Sequence, residues 1–351
     1  MILKNVRVHG ALTDIEIEDG RIVSIGKTDK AGEELGGLKA YPGLIDIHSH
    51  GCIGFDTMEG KAAEMSRFEL SKGVTTWYPT TMTMSREDII AATEQVRDVE
   101  DGAHMPGFHM EGPFINKKFK GAQNEAFIQA PSIEFLNACK EIKIVTIAPE
   151  VEGAMEFIKN CPAVVSLGHT EADYDTVMAA AEAGAKCLTH TFNVMPGIHH
   201  RAPGPIPAGA DSGMYAQLIC DGLHIHPAAV RFLIKAYGKE KVVLISDSMA
   251  ATGLGDGEYS FGGQSITVKD GAARTEGGNL AGSTTNLFDC VKCAISFGIP
   301  EEDAVYMATE SPAALMGLNK GRLAVGYDAD IILVDDDFDL KAVYKMGKRV
   351  K

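Results

Sequence analysis

Short apolar runs recur through the middle of the chain, and segments with apolar residues at every third or fourth position separate them. Eight of the runs predict buried strands: GLIDIHSH, VTTWYPTT, GFHMEG, IVTIAPE, AVVSLGH, CLTHTF, AQLICDG and VVLISDS. Segments such as EDIIAATEQVRDV, YDTVMAAAEAGA and PAAVRFLIKAYG predict helices between several of them. Buried strands that alternate with helices indicate a parallel α/β sheet, and eight such units predict a (β/α)8 barrel. A doubly wound open sheet is the alternative, but no GxGxxG motif follows an early strand to support it.

The two ends of the chain have a different pattern, in which apolar and polar residues alternate. The N-terminal segment IEIEDGRIVSI places Asp19 and Gly20 where a tight hairpin turn requires them. GYDADIILVD and LKAVYKMGKRV alternate in the same way near the C-terminus. We therefore predict a TIM-like barrel at residues 42–318 and a small β-sandwich domain built from both termini, residues 1–41 and 319–351.

Composition indicates a folded globular protein and excludes several classes of partner. The 351 residues are 45% hydrophobic and 23% charged, and the formal net charge of -15 argues against binding to nucleic acid or to an anionic membrane. No run approaches the ~20 apolar residues of a membrane span, and the N-terminus lacks a signal-peptide core, so we expect a cytoplasmic protein. The seven scattered cysteines predict reduced thiols rather than disulfides.

Histidines and carboxylates follow the ends of the predicted strands. They are His48 and His50 after the first strand, Glu111 after the third, His169 after the fifth, His190 after the sixth, His224 after the seventh and Asp247 after the eighth. In a barrel, these carboxyl ends meet at one face. Strand periodicity puts His48 and His50 on the same side, so both can reach one ion. Glu111 has two oxygens and could bridge two ions, with His169 and His190 completing the second site.

Imidazole and carboxylate together are typical ligands of divalent zinc, iron, manganese or cobalt. We therefore predict one or two divalent ions per subunit, of an identity that these ligands leave open. Hydrolysis at neutral pH needs a water made more acidic by the ion and a base that takes its proton. Asp247 beside a cation would stay ionised, so it can take that proton and return it to a leaving nitrogen. The pattern predicts a metal-dependent hydrolase.

The motifs PGLIDIHSHG, HMEGPF, SLGHTEA, THTFNVMPG, CDGLHIHP and ISDSMAATGLGDGEY resemble those of the N-acetylglucosamine-6-phosphate deacetylases, a branch of the amidohydrolase superfamily. The resemblance extends through nearly the whole chain, including LAGSTTNL and GRLAVGYDADIILVD. HxH is shared by the superfamily, whereas HMEGPF, HTFNVMPG and DGLHIHP are more specific. The resemblance implies metal-dependent removal of acetate from N-acetylglucosamine 6-phosphate, which gives glucosamine 6-phosphate in amino-sugar catabolism.

The same resemblance implies roles for individual residues. Glu111, His169 and His190 would bind the principal metal, and Asp247 would be the general acid and base as well as a metal ligand. Because this chain keeps His48 and His50, which some members lack, a second ion is implied.

Substrate contacts also follow from the resemblance. Gln123 stands where the family often has a histidine that contacts the substrate, and His224 matches a histidine that contacts the sugar. Asn193 and Val194 match positions that bind the phosphate. Arg201, assisted by His200, would reach the phosphate bound by the partner subunit of a homodimer, and Ser283 would lie at the rim of the site.

Two kinds of alternative stay open from the sequence. Another amidohydrolase could act on a different N-acyl amino sugar phosphate or on a cyclic amide, although cyclic-amide enzymes commonly bridge their metals with a modified lysine and the bridging candidate here is Glu111. A non-catalytic barrel scaffold is the other alternative, although such chains typically lose ligand residues.

Overall fold

The computed structural model describes residues 1–95 and 99–351, so the end of the helix predicted from EDIIAATEQVRDV falls partly outside the described residues. The strands are β1 Ile2–Val8, β2 Ala11–Glu18, β3 Arg21–Ile25, β4 Glu33–Glu34, β5 Lys39–Pro42, β6 Leu44–Ser49, β7 Gly51–Cys52, β8 Phe55–Asp56, β9 Val74–Thr81, β10 Phe108–Glu111, β11 Ile142–Ile147, β12 Val164–Leu167, β13 Cys187–Leu188, β14 Tyr215–Ile219, β15 Val242–Ile245, β16 Gly257–Phe261, β17 Gln264–Lys269, β18 Ala272–Thr275, β19 Ile331–Val334, β20 Leu340–Lys345 and β21 Lys348–Arg349. The helices are α1 Ala62–Ser71, α2 Arg86–Gln95, α3 Ile133–Ala138, α4 Ala154–Asn160, α5 Tyr174–Ala183, α6 Pro205–Asp211, α7 Pro227–Tyr237, α8 Leu287–Ser296, α9 Glu301–Met307 and α10 Glu310–Met316. Short 3-10 turns lie at Thr57–Glu59, Lys117–Phe119 and Glu125–Phe127.

The eight apolar runs form the eight parallel strands of one sheet, β6 and β9 to β15, which pair in chain order. Strand β6 is buried along its whole length, as expected for a strand covered on both faces. The first and last strands of the sheet pack against each other, and the Asp247 amide just after β15 donates to the His48 carbonyl in β6 at 2.9 Å. The predicted (β/α)8 barrel is therefore confirmed, with the sheet nearly closed into a ring.

A second sheet joins the two ends of the chain, as predicted. Its order is β21-β20-β19-β5-β1-β2-β3, with β4 on the side of β1, so the C-terminal strands pair with the N-terminal strands through β19 and β5. Asp19 and Gly20 both have positive φ in the β2–β3 hairpin, which is the conformation of a tight two-residue turn. The hydrophobic core of this second sheet contains side chains from both termini, including Leu3, Ile15 and Tyr344. The exact domain boundaries stay a prediction.

The small sheet is attached directly to the first strand of the barrel. Strand β5 ends at Pro42 and β6 begins at Leu44, and Gly43 between them donates its amide to the Asp330 carbonyl at 2.8 Å. Gly43 also lies tightly against Thr75 in β9, where a side chain has no room. These contacts of Gly43 fix the start of β6. His48 and His50 lie at the opposite end of the same strand.

A three-stranded antiparallel sheet, β16 to β18, follows the eighth barrel strand. It reaches the barrel mouth, because the Phe261 ring packs edge-on against His50 with 5.1 Å between ring centroids. Gln264 donates a hydrogen bond to the Ala122 carbonyl at 2.5 Å. The insertion therefore forms one wall of the region into which the strand-end histidines project.

All seven cysteines are free thiols, as predicted, and Cys290 and Cys293 both lie on α8. Within the described residues, no helix combines the length and apolar character needed to cross a membrane.

We predict that Gly43→Ala lowers the free energy of unfolding by about 1–3 kcal/mol, the usual effect of overpacking a core. The added Cβ would lie 2.8 Å from Thr75 Cβ, and closer still to the ends of that stiff, branched side chain. Gly26→Ala is the matched control, because nothing lies within 4 Å of its added Cβ. Urea unfolding measures both; equal midpoints for the two variants would contradict the close contact.

Candidate metal centre and pocket

Six side chains from five barrel strands converge at the carboxyl end of the barrel, and none is more than 7% exposed. His48 is in β6 and His50 follows it; Glu111 ends β10; His169, His190 and Asp247 come two residues after β12, β13 and β15. His169, His190 and Asp247 have φ values of 49°, 28° and 47°, which are unusual for residues other than glycine. Such strained backbone persists where surrounding structure holds it, often at functional sites. Here it turns the chain just as each strand ends.

The six side chains form two groups of three. In one, the His48 and His50 Nε2 atoms are 3.2 Å apart and lie 3.4 and 3.3 Å from Asp247 Oδ1. In the other, the Nε2 atoms of His169 and His190 are 3.2 Å apart and lie 3.3 and 3.0 Å from Glu111 Oε1.

Glu111 lies between these groups. Its Oε1 is also 3.3 Å from His48 Nε2, and its Oε2 is 3.2 Å from His50 Nε2. One carboxylate therefore contacts the imidazoles of both groups, which is the position the sequence analysis predicts for a bridging ligand.

The four rings share one hydrogen-bonding arrangement, in which Nδ1 lies against a carbonyl oxygen. The pairs are His48 with the Gln217 side chain (2.9 Å), His50 with the Thr80 backbone (3.2 Å), His169 with the Phe119 backbone (2.9 Å) and His190 with the Asn193 backbone (3.2 Å). Because a carbonyl oxygen only accepts, each Nδ1 carries a proton, so Nε2 is the atom that faces the other rings and can bind a cation or a second proton. Metal-binding histidines in proteins are held in this way.

The electrostatics of the six side chains require positive charge between them. Burial raises the pKa of the Glu111 carboxyl, but His48, His169 and His190 outweigh burial and hold this pKa well below its usual range. Burial also opposes ionisation of Asp247, yet His48 and His50 lower its pKa overall.

The same carboxylates act on the imidazoles. Burial lowers the pKa of His50, but Asp247 and Glu111 outweigh it and raise this pKa to about 10. His50 therefore binds a second proton when no other cation lies between these carboxylates. A divalent cation with nitrogen and oxygen ligands fits this set of donors.

A pocket of about 500 Å³ opens beside the two groups. Among the predicted substrate-binding residues, Gln123, Asn193, Val194 and His224 line it. His224 Nδ1 lies 2.6 Å from Asp221 Oδ2, and although burial opposes the charge, Asp221 raises the pKa of His224. Asn193 and Val194 come three and four residues after the metal-ligand candidate His190 on the same loop, so that loop carries both a candidate ligand and part of the pocket wall.

Gln123 contacts the carboxylate that lies between the two groups. Its Nε2 donates to Glu111 Oε2 at 2.6 Å, and its Oε1 accepts from the Thr83 amide at 2.7 Å. Both ends of the Gln123 side-chain amide are therefore hydrogen-bonded within the protein. Gln123, which the sequence predicts to contact the substrate, here orients Glu111.

Three predicted substrate-binding residues lie outside the lining of this pocket. Ser283 is buried. Its hydroxyl donates a hydrogen bond to the Ser246 carbonyl at 2.6 Å, and its amide donates one to the Asp247 carbonyl at 2.7 Å. Arg201 and His200 are exposed, with Arg201 Nη1 2.7 Å from His200 Nε2, and Arg201 borders a neighbouring depression. Their role toward a partner subunit stays a prediction.

Several residues near the centre were not singled out from the sequence. His109 lies below His48 with 4.4 Å between ring centroids, and its Nε2 is 2.7 Å from the Thr146 hydroxyl. Its spacing of two from Glu111 is the signal that could have revealed it. The pocket is also lined by Lys117, Lys118 and Lys120, and their signal is the basic segment KKFK in an acidic chain.

Comparison with known proteins places this geometry in a family. Residues 40–350 match the profile described as the amidohydrolase family. The chain is 37% identical to the N-acetylglucosamine-6-phosphate deacetylase of Bacillus subtilis (strain 168) over 321 residues, which cover 85% of this chain and 81% of that protein. It is 33% identical to the N-acetylgalactosamine-6-phosphate deacetylase of Escherichia coli O157:H7 over 353 residues, covering 95% and 93%.

A solved structure gives the same picture. The Mycobacterium smegmatis N-acetyl-D-glucosamine-6-phosphate deacetylase, determined as a mutant in complex with N-acetyl-D-glucosamine-6-phosphate, superposes with a TM-score of 0.92 at 33% identity. The superposition covers 100% of this chain and 99% of that one.

We predict that the two groups bind metal separately. His48→Ala should lose only the ion held with His50 and Asp247, because His169 and His190 keep their own carboxylate contact, whereas Glu111→Ala should weaken binding at both groups. Metal content after dialysis, measured by mass spectrometry, tests this, with the exposed His9→Ala as control. Loss of all metal from His48→Ala would show that the groups are not separate sites.

Proposed function

The chain belongs to the amidohydrolase family, and we propose that it catalyses the metal-dependent hydrolysis of N-acetyl-D-glucosamine 6-phosphate to D-glucosamine 6-phosphate and acetate. One observation carries the proposal: two buried imidazole–carboxylate groups open into a single pocket, in a chain that aligns over most of its length with deacetylases of this substrate. The pocket volume of about 500 Å³ is within the range of small-molecule sites.

The proposed cofactor is one or two divalent ions per subunit, chosen among zinc, iron, manganese and cobalt. Glu111, His169 and His190 would hold one ion, and His48, His50 and Asp247 the other. When bound, such an ion polarises the amide carbonyl and makes a water molecule more acidic. The hydrogen bonds of the Nδ1 atoms support this assignment, because they hold each ring with its Nε2 atom towards the proposed metal position.

Asp247 would move the proton. Its carboxyl group is ionised at neutral pH, since His48 and His50 keep its pKa low against the effect of burial. Asp247 would accept a proton from the attacking water, and return it to the amide nitrogen as the carbon–nitrogen bond breaks, which gives acetate and a free amine. Hydrogen bonds from its backbone to His48 and from Ser283 fix its position.

The pocket wall would orient the sugar phosphate. Asn193 and Val194 would receive the phosphate, and His224, held by Asp221 at 2.6 Å, would contact the sugar. Gln123 would act mainly by orienting Glu111, to which it donates a hydrogen bond.

A second candidate substrate is N-acetylgalactosamine 6-phosphate, which differs in configuration at one sugar carbon. The 33% identity to the Escherichia coli deacetylase of that sugar favours it. A cyclic amide has less support, because the residue between the two groups is Glu111 and not lysine. A non-catalytic scaffold has less support too, because both ligand groups are retained.

The test of the proposed function is acetate release from a panel of amides by the metal-loaded protein. We expect N-acetylglucosamine 6-phosphate to have the highest kcat/KM, above its galactosamine counterpart, unphosphorylated N-acetylglucosamine and dihydrouracil. Preference for the galactosamine compound would select the second candidate, and activity on none of the four would refute the deacetylase proposal.

We predict that Asp247→Asn lowers kcat by roughly 10² to 10⁴ while the fold persists, because the amide is nearly isosteric but cannot accept the proton. Acetate release measures kcat, and circular dichroism checks the fold. The exposed Asp29→Asn is the matched control and should behave as the parent. An Asp247→Asn variant with near-parental turnover would remove Asp247 from the mechanism.

We also propose a homodimer in which Arg201, with His200, contacts the phosphate in the partner's site. Arginine matches phosphate geometry well, and Arg201 is exposed on the loop that continues from Asn193. We predict that Arg201→Ala strongly raises KM for the phosphorylated sugar and hardly affects the unphosphorylated one.

Subunit mixing tests the shared site directly. Mixtures of Arg201→Ala and Asp247→Asn chains should regain activity, because one site of the mixed dimer then combines an intact Asp247 with the partner's intact arginine. No rescue despite demonstrated subunit exchange, or a fully active monomer in sedimentation, would contradict the shared site.

A further inference from the structure

The charge of the pocket poses a problem for a phosphorylated substrate. The chain carries a net charge of -15, and the acidic side chains of Glu111 and Asp247 line the pocket. Within the described residues, no arginine of the same chain lines the pocket, whereas Lys117, Lys118 and Lys120 do. If the proposed function is right, the lysines of this short segment are therefore the permanently charged side chains that a single chain offers to the phosphate.

The lysine segment is attached to the group formed by Glu111, His169 and His190. The Asn116 amide donates to the His169 carbonyl at 3.0 Å, and the Phe119 carbonyl accepts from His169 Nδ1 at 2.9 Å. Beyond the lysines, Gln123 donates to Glu111 at 2.6 Å. The backbone of residues 116–123 is thus fixed relative to the reacting end of the pocket.

The same segment touches the loop that we propose binds phosphate. A Cβ at Gly121 would lie 3.1 Å from Val194 Cγ2 and 3.5 Å from His169 Cε1, so the backbone there passes directly beside Val194. Gly121 has a φ of +55°, which together with this close approach favours glycine. Lys120 therefore lies next in sequence to the point where the two loops meet.

Of the three lysines, Lys120 is the least exposed, since both Lys117 and Lys118 are exposed residues. Lys118 pairs with Glu171 at 3.2 Å and its side chain is 76% exposed. Lys120 is 37% exposed, and its ionic neighbour Glu125 is distant at 3.8 Å and largely solvent-accessible. Such an exposed pair contributes little, so it does not prevent Lys120 from turning to a stronger anion.

We propose that Lys120 binds the phosphate of the substrate through its ammonium group, from within the same chain that holds the metal ligands. This contact is separate from Arg201, which borders a different depression of its own chain. It makes part of the selectivity for phosphorylated sugars independent of the partner subunit. Because the contact is ionic and near the surface, it weakens as salt concentration rises.

The test compares Lys120→Met, which keeps the apolar stem and removes the charge, with Lys120→Arg, which keeps the charge. The measured quantity is the ratio of kcat/KM for N-acetylglucosamine 6-phosphate to kcat/KM for N-acetylglucosamine. Lys120→Met should lower this ratio about tenfold through KM, the effect of one lost charged hydrogen bond. Lys120→Arg should restore most of it. Lys140→Met, at an exposed lysine paired with Glu94 at 3.6 Å, should keep the parental ratio.

The outcomes separate this inference from the proposed function. An unchanged ratio in Lys120→Met overturns the inference and leaves the deacetylase intact. An equal fall of kcat on both sugars, without a change in KM, would assign Lys120 a structural role and overturn it too. A parent protein with no preference for the phosphorylated sugar would instead refute the proposed function, and the inference with it.

Discussion

The structure depends on a concentration of buried charge at one end of the barrel. Glu111 and Asp247 are ionised among four imidazoles whose Nε2 atoms lie about as close together as hydrogen-bonded atoms, with their protons held on the opposite nitrogens. An uncompensated buried charge costs about 3–5 kcal/mol, whereas a whole domain is stable by only about 5–15 kcal/mol. Positive charge at this centre therefore stabilises the fold, and either protons on the imidazoles or a divalent cation can supply it.

The loops that line the pocket are attached to the same centre. His190 leads into the loop of Asn193 and Val194, and its Nδ1 is held by the Asn193 carbonyl. His169 makes two hydrogen bonds with the lysine-bearing segment, one with the Asn116 amide and one with the Phe119 carbonyl. These two loops are thus each held by a histidine of the centre, so the shape of the pocket and the geometry of the centre are coupled.

The sequence predicts the barrel and the ligand positions because both follow from local pattern. Each of the eight apolar runs spans only a few neighbouring residues. The same is true of the spacing of His48 and His50 and of the turn at Asp19 and Gly20. What the sequence could not predict are contacts between distant loops. Gln123 donates a hydrogen bond to Glu111, and the Ser283 amide donates one to the Asp247 carbonyl, only because the fold brings those segments together. Strand β13 is limited to Cys187–Leu188, and the backbone has a positive φ at His190; the sequence pattern reveals neither feature.

The most direct test of this account is a titration of the chelator-treated protein with a single divalent metal, in which bound ions per chain and acetate released from N-acetylglucosamine 6-phosphate are measured together. The account predicts no turnover without metal, and turnover that rises with each bound ion until one or two are bound per chain. Full activity in protein shown to be free of metal would contradict it.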